Sequence, residues 1–452
     1  MAEQPLQPVR RRLPVQDARA VGGPVALRLL AGYFGLSLLG WLATTAALIA
    51  AAPRVAAGDL GAPEPVLAVH LLALGFMPLA VSGGAFHLLP VMLRNPLASQ
   101  PRLWLALPLL AVGAWLTAPG VAYEVPALLW PGATLLAGGL ALVLVELGGL
   151  VARAPRGRML VASRTGVALS LFHVCAALVL GAIVFDHGDP PMLGTDHGRW
   201  LLVHLHLAAL GWLALLILSV GRTLGPMLAQ APAAASRRFP LEELGLTAGL
   251  WLLAAGIAAD SSPLGFAGGA LIVAALGRFA TLIVRVGRTR RTEPEGPLLH
   301  MLLGALFLAQ AAILGFALLA DAGPLQRGLG AYVLLLLLGW AAGVTVGHLP
   351  KLLSLSIWVW WPPGPRPKQE ALYPRGLAQV EAVFFALGVE VTALGVYLGS
   401  TTTARAGAAS VAASAVLLVA TVGSVWQRRS RARQALRKSP EVLDEGPSLQ
   451  SP

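Results

Sequence analysis

Residues 70–76 read His-Leu-Leu-Ala-Leu-Gly-Phe, and residues 206–212 read His-Leu-Ala-Ala-Leu-Gly-Trp. A partial third copy follows at a nearly equal offset, where the Leu-Gly-Trp of residues 338–340 aligns with residues 210–212. A pattern that returns three times predicts an internal repeat, and repeats in membrane bundles place sites between repeat units. The alternative is chance alignment among helices that are all rich in Leu, Ala and Gly.

The composition around these copies is that of a membrane protein. Of the 452 residues, 56% are hydrophobic and only 12% are charged, whereas a soluble domain carries about 25% charged residues. An ordinary soluble enzyme is therefore excluded. The single cysteine, Cys175, rules out a disulfide framework or a Cys-based metal site within one chain.

Apolar runs bounded by Pro, Gly or charge predict an all-α, polytopic membrane bundle of about twelve transmembrane helices with pseudo-threefold internal repeats. The predicted domains are a basic N-terminal tail (1–24), the transmembrane domain (25–426) and an Arg-rich C-terminal tail (427–452). The predicted spans are 25–51, 65–93, 102–121, 125–151, 160–185, 199–229, 240–259, 263–287, 297–320, 328–352, 375–399 and 404–426.

The net charge of +12 is explained by an orientation in the membrane. Arg and Lys concentrate in both tails and in the connections that follow even-numbered spans, while most other connections are acidic. Because positive charge stays on the cytoplasmic side, both termini are predicted to be cytoplasmic and the protein to lie in the cell inner (cytoplasmic) membrane. The same clusters predict contact with membrane lipids and no nucleic-acid partner.

Histidines in the spans fall into groups by depth. An ionisable residue inside a membrane is a functional candidate by default, and imidazole is the usual axial ligand of haem iron. The alternative for each is a neutral ring bonded to a neighbouring carbonyl. We predict cofactor binding by His70, His204 and His206 near the outer side and by His87 and His348 near the inner side, with His300 as a further metal ligand.

His70 and His206 share a repeat position and a depth, which predicts that they hold the same low-spin haem from two helices. His204 and His206 point about 200° apart on a helix, so they must serve different neighbours. His70 and His87 lie about 25 Å apart along one helix, so that helix could reach an outer and an inner centre.

Buried carboxylates are few. Glu390 and Glu146 are candidates for proton relay. The alternative is that these acids, with Glu381, form structural pairs across helices.

Twelve spans with cytoplasmic ends, a three-part repeat, a histidine at the outer end of span two and a His-x-His pair on a repeat-related helix together resemble subunit I of the haem-copper oxidase superfamily. Residues 347–358 also resemble a stretch in divergent relatives of that superfamily, and the NnrS family of haem- and copper-containing membrane proteins is a further comparison. The resemblance implies that His70 is a low-spin haem ligand.

Departures from the family limit what the resemblance implies. The His-x-His pair belongs to span ten in the family but to span six here, span seven has no histidine, and span six has no tyrosine. A complete oxygen-reducing haem-copper centre is therefore not expected.

These observations predict a haem-binding membrane redox protein that takes part in electron transfer or in NO or O₂ chemistry, and an oxidoreductase if it is an enzyme. The expected haem is b-type, with copper as the other metal that histidines suit. The expected partners are quinol or an outer-face electron donor, and partner subunits. The alternatives are a twelve-helix secondary transporter and a non-catalytic subunit that anchors a larger complex.

Overall fold

The structure, a computed structural model, describes residues 25–155, 161–185, 197–232, 240–291, 293, 295–362 and 366–438. Within these ranges, twelve helices are long and apolar enough to cross a membrane and no β-strand occurs. The chain is thus a multi-pass membrane protein, as predicted. The helices are α1 Leu27–Ala57, α2 Pro63–Met92, α3 Gln100–Ala122, α4 Pro126–Arg153, α5 Val161–Phe185, α6 His197–Met227, α7 Leu241–Ala258, α8 Ser262–Thr289, α9 Gly296–Leu319, α10 Leu325–Val359, α11 Arg375–Leu398 and α12 Thr401–Ala435.

Most predicted ends agree with these bounds to within a few residues, but three helices extend further. Helix α1 ends at Ala57 and not near residue 51, and helix α10 ends at Val359 and not near residue 352. Helix α12 continues to Lys438, through the first part of the predicted C-terminal tail, because Arg, Lys and Gln are good helix formers outside the membrane as well as within it. The predicted tail 1–24 and residues 439–452 lie outside the described residues.

Three helix hairpins repeat the same glycine contacts. Between α3 and α4, a Cβ added at Gly113 or Gly120 would lie 2.5 or 2.6 Å from the backbone nitrogen of Leu136 or Leu129. Only glycine allows this approach of two backbones. Equivalent close approaches join α7 to α8 and α11 to α12, at Gly249, Gly256, Gly388 and Gly395.

The offsets of these glycines define the repeat unit. The glycines of the second hairpin follow those of the first at the same offset that separates His206 from His70, and those of the third follow at nearly the same offset again. The turn inside each hairpin repeats too, because Glu124, Asp260 and Gly399 all adopt left-handed backbone, with φ of 52°, 52° and 74°. The repeat units are therefore α1–α4, α5–α8 and α9–α12.

The second helix of each unit lies at the centre of the bundle. Helices α2, α6 and α10 contact one another, and neighbouring units meet where α4 contacts α5, α8 contacts α9 and α12 contacts α1. The most apolar windows of α10 and α2 are the most buried of the twelve, at 72% and 61%. The three central helices thus form a core inside a closed ring.

The outer surface is apolar and faces lipid. Large side chains such as Trp104, Leu105 and Ile313 are exposed, Ile313 to 72%. Exposed apolar surface of this extent is unfavourable in water but suits the hydrocarbon core of a bilayer.

Candidate functional site

Each central helix contains a π-helical segment at the same position in its repeat. The segments are Leu71–Phe76 in α2, Leu207–Ala214 in α6 and Leu334–Ala342 in α10. The first two begin directly after His70 and His206. Because π-helical turns are rare and occur frequently at functional sites, this level of the bundle is the leading site candidate.

Each π-helical segment contains the Leu-Gly-aromatic triplet of the repeat, and its glycine lies against the preceding helix. A Cβ added at Gly211 would lie 2.7 Å from the Cβ and Cγ atoms of His173 in α5, and one at Gly339 would lie 2.8 Å from the ring of Phe307 in α9. At the equivalent place in the first unit, Gly75 packs against Gly40 of α1. The glycines therefore allow the first helix of each unit to pack closely against the π-helical turn of the second.

His70 and His206 have the same hydrogen-bonding arrangement. Nδ1 of His70 lies 2.8 Å from the carbonyl oxygen of Val66, and Nδ1 of His206 lies 2.7 Å from that of Leu202. A carbonyl oxygen can only accept, so each Nδ1 carries the proton and donates it. This fixes the tautomer in which Nε2 has a free lone pair, the arrangement used by metal-bound histidines.

The Nε2 of His206 is directed at the third central helix. It lies 2.9 Å from Oη of Tyr332, and the two rings are 5.8 Å apart. Because this Nε2 carries no proton, the Tyr332 hydroxyl donates. Tyr332 sits two residues before the position that aligns with His70 and His206, and the sequence gives no local signal for it because its partner lies on another helix.

His204 points away from His206, as the predicted angle of about 200° requires. Its Nδ1 lies 2.9 Å from the carbonyl oxygen of Ala177 in α5, and its ring packs against Gly181. We call His70, His204, His206 and Tyr332, which lie at a similar level of the three central helices, the His70 cluster. The side-chain contact that the structure shows within it joins His206 to Tyr332.

The opposite ends of α2 and α10 carry a second group of histidines. Nδ1 of His348 donates to the carbonyl oxygen of Val344 over 2.7 Å, which repeats the arrangement of His70 and His206. His87 lies 3.3 Å from the hydroxyl of Ser356 on α10. The predicted inner-side residues His87 and His348 are thus both turned toward neighbouring side chains or backbone within the bundle.

His300 forms a buried pair with a carboxylate. Its Nε2 lies 2.9 Å from Oε2 of Glu381 on α11, and both residues are almost fully buried. Nδ1 of His300 and Oε1 of Glu381 have no hydrogen-bond partner among the described residues. This pair therefore keeps hydrogen-bonding capacity in the interior of the bundle.

His173 is a further buried histidine that was not selected from the sequence. Its Nδ1 donates to the carbonyl oxygen of Leu169 over 2.7 Å, and its buried Nε2 has no partner among the described residues. The ring lies between Gly211 and Trp251. Its midway depth in α5 was the one signal that pointed to it.

The two predicted relay carboxylates have different environments. Glu146 accepts hydrogen bonds from the backbone amides of Ala98 and Ser99 and pairs with Arg102. It therefore holds the start of α3 and is not paired with Glu381. Glu390 accepts a hydrogen bond from Gln310 over 2.8 Å, which links α11 to α9.

Two buried ion-pair groups were missed from the sequence. Arg222 on α6 bridges Glu242 and Glu243 at the start of α7, at 3.2 Å to each. At the His348 end of the bundle, Lys351 lies 2.6 Å from Glu295 and 5.0 Å from the ring centre of Tyr373. Burial raises the pKa of the Tyr373 hydroxyl, which keeps that hydroxyl protonated.

Two small adjoining cavities of about 30 and 40 Å³ form a narrow crevice between the second and third repeat units. They share Ile283 of α8 and Met301 of α9, and most of their lining is apolar. His348, Glu293 and Glu295 line one end of the crevice. The result is an apolar slot with acceptor groups at its polar end.

The tautomers of His70 and His206 suit ligation of haem iron at Nε2, and Nε2 of His206 is bonded to Tyr332 in this structure. The contacts of the described residues do not join His70 to His206 directly. A copper site is a different case. No three His, Cys, Asp or Glu side chains come together to hold a metal ion within the part of the chain that the structure describes.

Comparison with protein-family models and with curated protein sequences gives no match. The resemblance to haem-copper oxidase subunit I and to the NnrS family therefore stays a prediction. Fold and site together define a multi-pass helical membrane protein built from three repeats, with polar clusters at both ends of its central helices.

Proposed function

We propose that this protein is a haem-bearing membrane redox protein and that His70 and His206 are axial ligands. The observation that carries the proposal is that both histidines begin a π-helical segment at the same repeat position and donate Nδ1–H to the carbonyl four residues earlier. His173 and His348 donate Nδ1–H in the same way, so what distinguishes His70 and His206 is their shared repeat position directly before a π-helical segment.

The chain's own residues hold the ligand rings in place and keep water away. The carbonyls of Val66 and Leu202 orient the two imidazoles, and buried side chains of the π-helical segments themselves, such as Leu72, Phe76 and Leu210, exclude water. Bound haem would supply one-electron transfer, and a small gas such as NO or O₂ could bind it only if one of the two histidines were released. One cysteine cannot form a C-x-x-C-H attachment site, so the haem would be non-covalent, and we expect the b type.

Detergent-purified protein tests this proposal directly. We expect a Soret band, a pyridine haemochrome of the b type and iron at one or more atoms per chain. The proposal would be contradicted if protein that was produced with a haem precursor in the medium showed no Soret band after purification.

The electron donor that we propose is a quinol. Its apolar tail would match the apolar lining of the crevice, and its hydroxyl groups would meet the polar end at His348 and Glu293. Because the two cavities are small, the quinol ring would have to widen the crevice as it enters.

Filling the crevice tests the donor. Ile283→Trp should slow haem reduction by a short-chain quinol by roughly tenfold or more, the effect of losing about 1.4 kcal/mol of binding, while dithionite still reduces all the haem. Val179→Trp is the matched control, because Val179 is 61% exposed on the outer surface. Equal quinol rates in Ile283→Trp and wild type would assign the donor to another surface.

A secondary transporter is the second candidate, and buried acids with unused oxygens favour it. Oε2 of Glu243 and Oε1 of Glu381 are buried without hydrogen-bond partners among the described residues, and such groups can bind a coupling ion. The test is uptake into proteoliposomes that contain haem-free protein. Transport would be favoured over redox chemistry if Glu390→Gln abolished uptake and His70→Ala retained it.

A further inference from the structure

A cationic surface forms where the end of α10, the short helix Gln369–Leu372 and the extension of α12 meet. Arg429 stacks over the ring of Trp426, with its guanidinium carbon 5.0 Å from the ring centre. One helical turn further on, Arg433 stacks over Trp361 at 5.7 Å. Arg428 donates to the carbonyl oxygen of Ala371 over 3.2 Å and so ties the short helix to α12.

Among the residues that the structure describes, the cations on this surface have no acidic partners. Arg428, Arg429 and Arg433 form no ion pair with any carboxylate that the structure describes, although other arginines of the chain do. Arg429 and Arg433 are also close enough for their like charges to repel. Positive charge held together without a counter-charge is a site for an anion.

Unused hydrogen-bond donors point to the same place. Buried nitrogens without a partner among the described residues include Nε1 of Trp360, Nε2 of Gln369 and Nε of Arg433. All three are N–H donors, and all three belong to the elements that form this surface. Buried donors are rarely left without acceptors in native proteins, so a ligand with several oxygen acceptors is indicated.

We propose that this surface, formed by Trp360, Gln369, Arg428, Arg429 and Arg433, binds the phosphodiester of an anionic phospholipid. Phosphate oxygens accept from Arg and Trp nitrogens, and Arg binds phosphate with two parallel hydrogen bonds. Trp side chains concentrate at the boundary between membrane and water, where lipid headgroups lie. A lipid, unlike free phosphate, also has acyl chains that can lie against the apolar surface of α10 and α12.

Native mass spectrometry of the full-length protein tests the proposal, with phosphatidylglycerol and phosphatidylcholine of identical acyl chains as probes. We expect wild type to retain phosphatidylglycerol roughly tenfold better than phosphatidylcholine. A tenfold difference in affinity is what one additional charge-assisted contact of about 1.4 kcal/mol would give. The double variant Arg429→Gln/Arg433→Gln should lose most of that preference. Equal retention of both lipids by wild type would overturn the proposal.

The matched control removes two other arginines, with Arg288→Gln/Arg290→Gln at the end of α8, and should keep the lipid preference. Arg433→Lys keeps the charge but loses Nε and the planar stacking group, so it should show an intermediate preference.

Competition by inorganic phosphate alone, at millimolar concentration, would show a phosphate site without lipid specificity. The lipid assignment would also be contradicted if an acidic soluble protein bound wild type in lipid-free detergent and did not displace phosphatidylglycerol. The variants must elute as single species with unchanged helical circular dichroism, and a preference that persists in such a folded double variant would overturn the site.

Discussion

Tyr332 of α10 donates a hydrogen bond to Nε2 of His206 of α6 across 2.9 Å. This is the atom by which His206 would bind iron, so the tyrosine and a metal compete for the same lone pair. The phenol can occupy the ligand position when iron is absent and would have to release it when iron binds.

Tyr332→Phe should therefore leave haem content unchanged or higher, since it removes the competitor for Nε2. In protein without haem, loss of the hydrogen bond should lower the free energy of unfolding by about 0.5–1.5 kcal/mol. Pyridine haemochrome assays and detergent unfolding curves measure the two effects. A Soret band that disappears in folded Tyr332→Phe would show that the hydroxyl is needed to hold the haem.

His70→Ala and His206→Ala should each abolish the same low-spin optical species, because both are expected to ligate one iron. His197→Ala is the matched control, since His197 lies at the exposed start of α6. Difference spectra of the reduced and oxidised proteins make the comparison. Loss of the species from only one of the two variants would contradict the proposed pairing and would make His204, two residues before His206, the next candidate ligand.

Gly347→Ala should destabilise the bundle, because a Cβ at Gly347 would meet the Cβ and ring of His300. Overpacking of this kind costs about 1–3 kcal/mol. Gly277→Ala is the matched control on α8, where nothing lies within 4 Å of the added Cβ, and there a gain of about 0.5–1 kcal/mol is expected. Unfolding in sodium dodecyl sulfate, followed by circular dichroism, measures both. Equal stabilities of the two variants would contradict the close contact.

Lys351→Met should lower the free energy of unfolding, because the Glu295 carboxylate then keeps only Arg375, at 3.8 Å, as a cationic partner. The loss should stay below the roughly 3–5 kcal/mol expected for a buried charge with no partner. Glu295→Gln in the same chain should restore part of that loss, since the buried carboxylate is then removed. A double-mutant cycle from thermal unfolding gives the coupling between Lys351 and Glu295. Additive single effects would show that the 2.6 Å pair is not energetically coupled.

Gly399→Ala should also be destabilising, because Gly399 has φ 74° and its added Cβ would meet the guanidinium of Arg327. Glu124→Gly, at the equivalent turn of the first repeat, should act in the opposite direction, by about 1 kcal/mol, since Glu124 has a left-handed backbone that disfavours side chains. Thermal unfolding of both variants checks the two signs together. A stabilising Gly399→Ala would contradict the strained turn.

The parts of the fold that the sequence predicts are those that depend on composition and periodicity. Long apolar runs require helices in a bilayer, so twelve spans follow, and the copies around His70 and His206 predict the threefold repeat. The ends of α10 and α12 do not follow, because Lys351 and the arginines after Trp426 read as the end of a span. In the structure Lys351 is buried against Glu295, and the α12 arginines continue the helix in water.

The candidate site is predicted only in part, for a physical reason. His70, His204 and His206 are unusual residues inside apolar runs, so they stand out. Partners on other helices or connections determine the roles of Tyr332, Arg222 and Lys351, and no local sequence pattern predicts those partners. The π-helical turns are also invisible locally, because their Leu-rich sequences suit an ordinary α-helix equally well.

The π-helical segments have a consequence for how this chain tolerates change in length. A π-helical turn contains one residue more than an α-helical turn does. Deleting one residue within Leu71–Phe76 would therefore let that turn close to an ordinary α-helical turn and leave His87 in nearly its present direction. The same deletion in an α-helical part of the same helix would rotate everything beyond it by about 100° and shift it by about 1.5 Å.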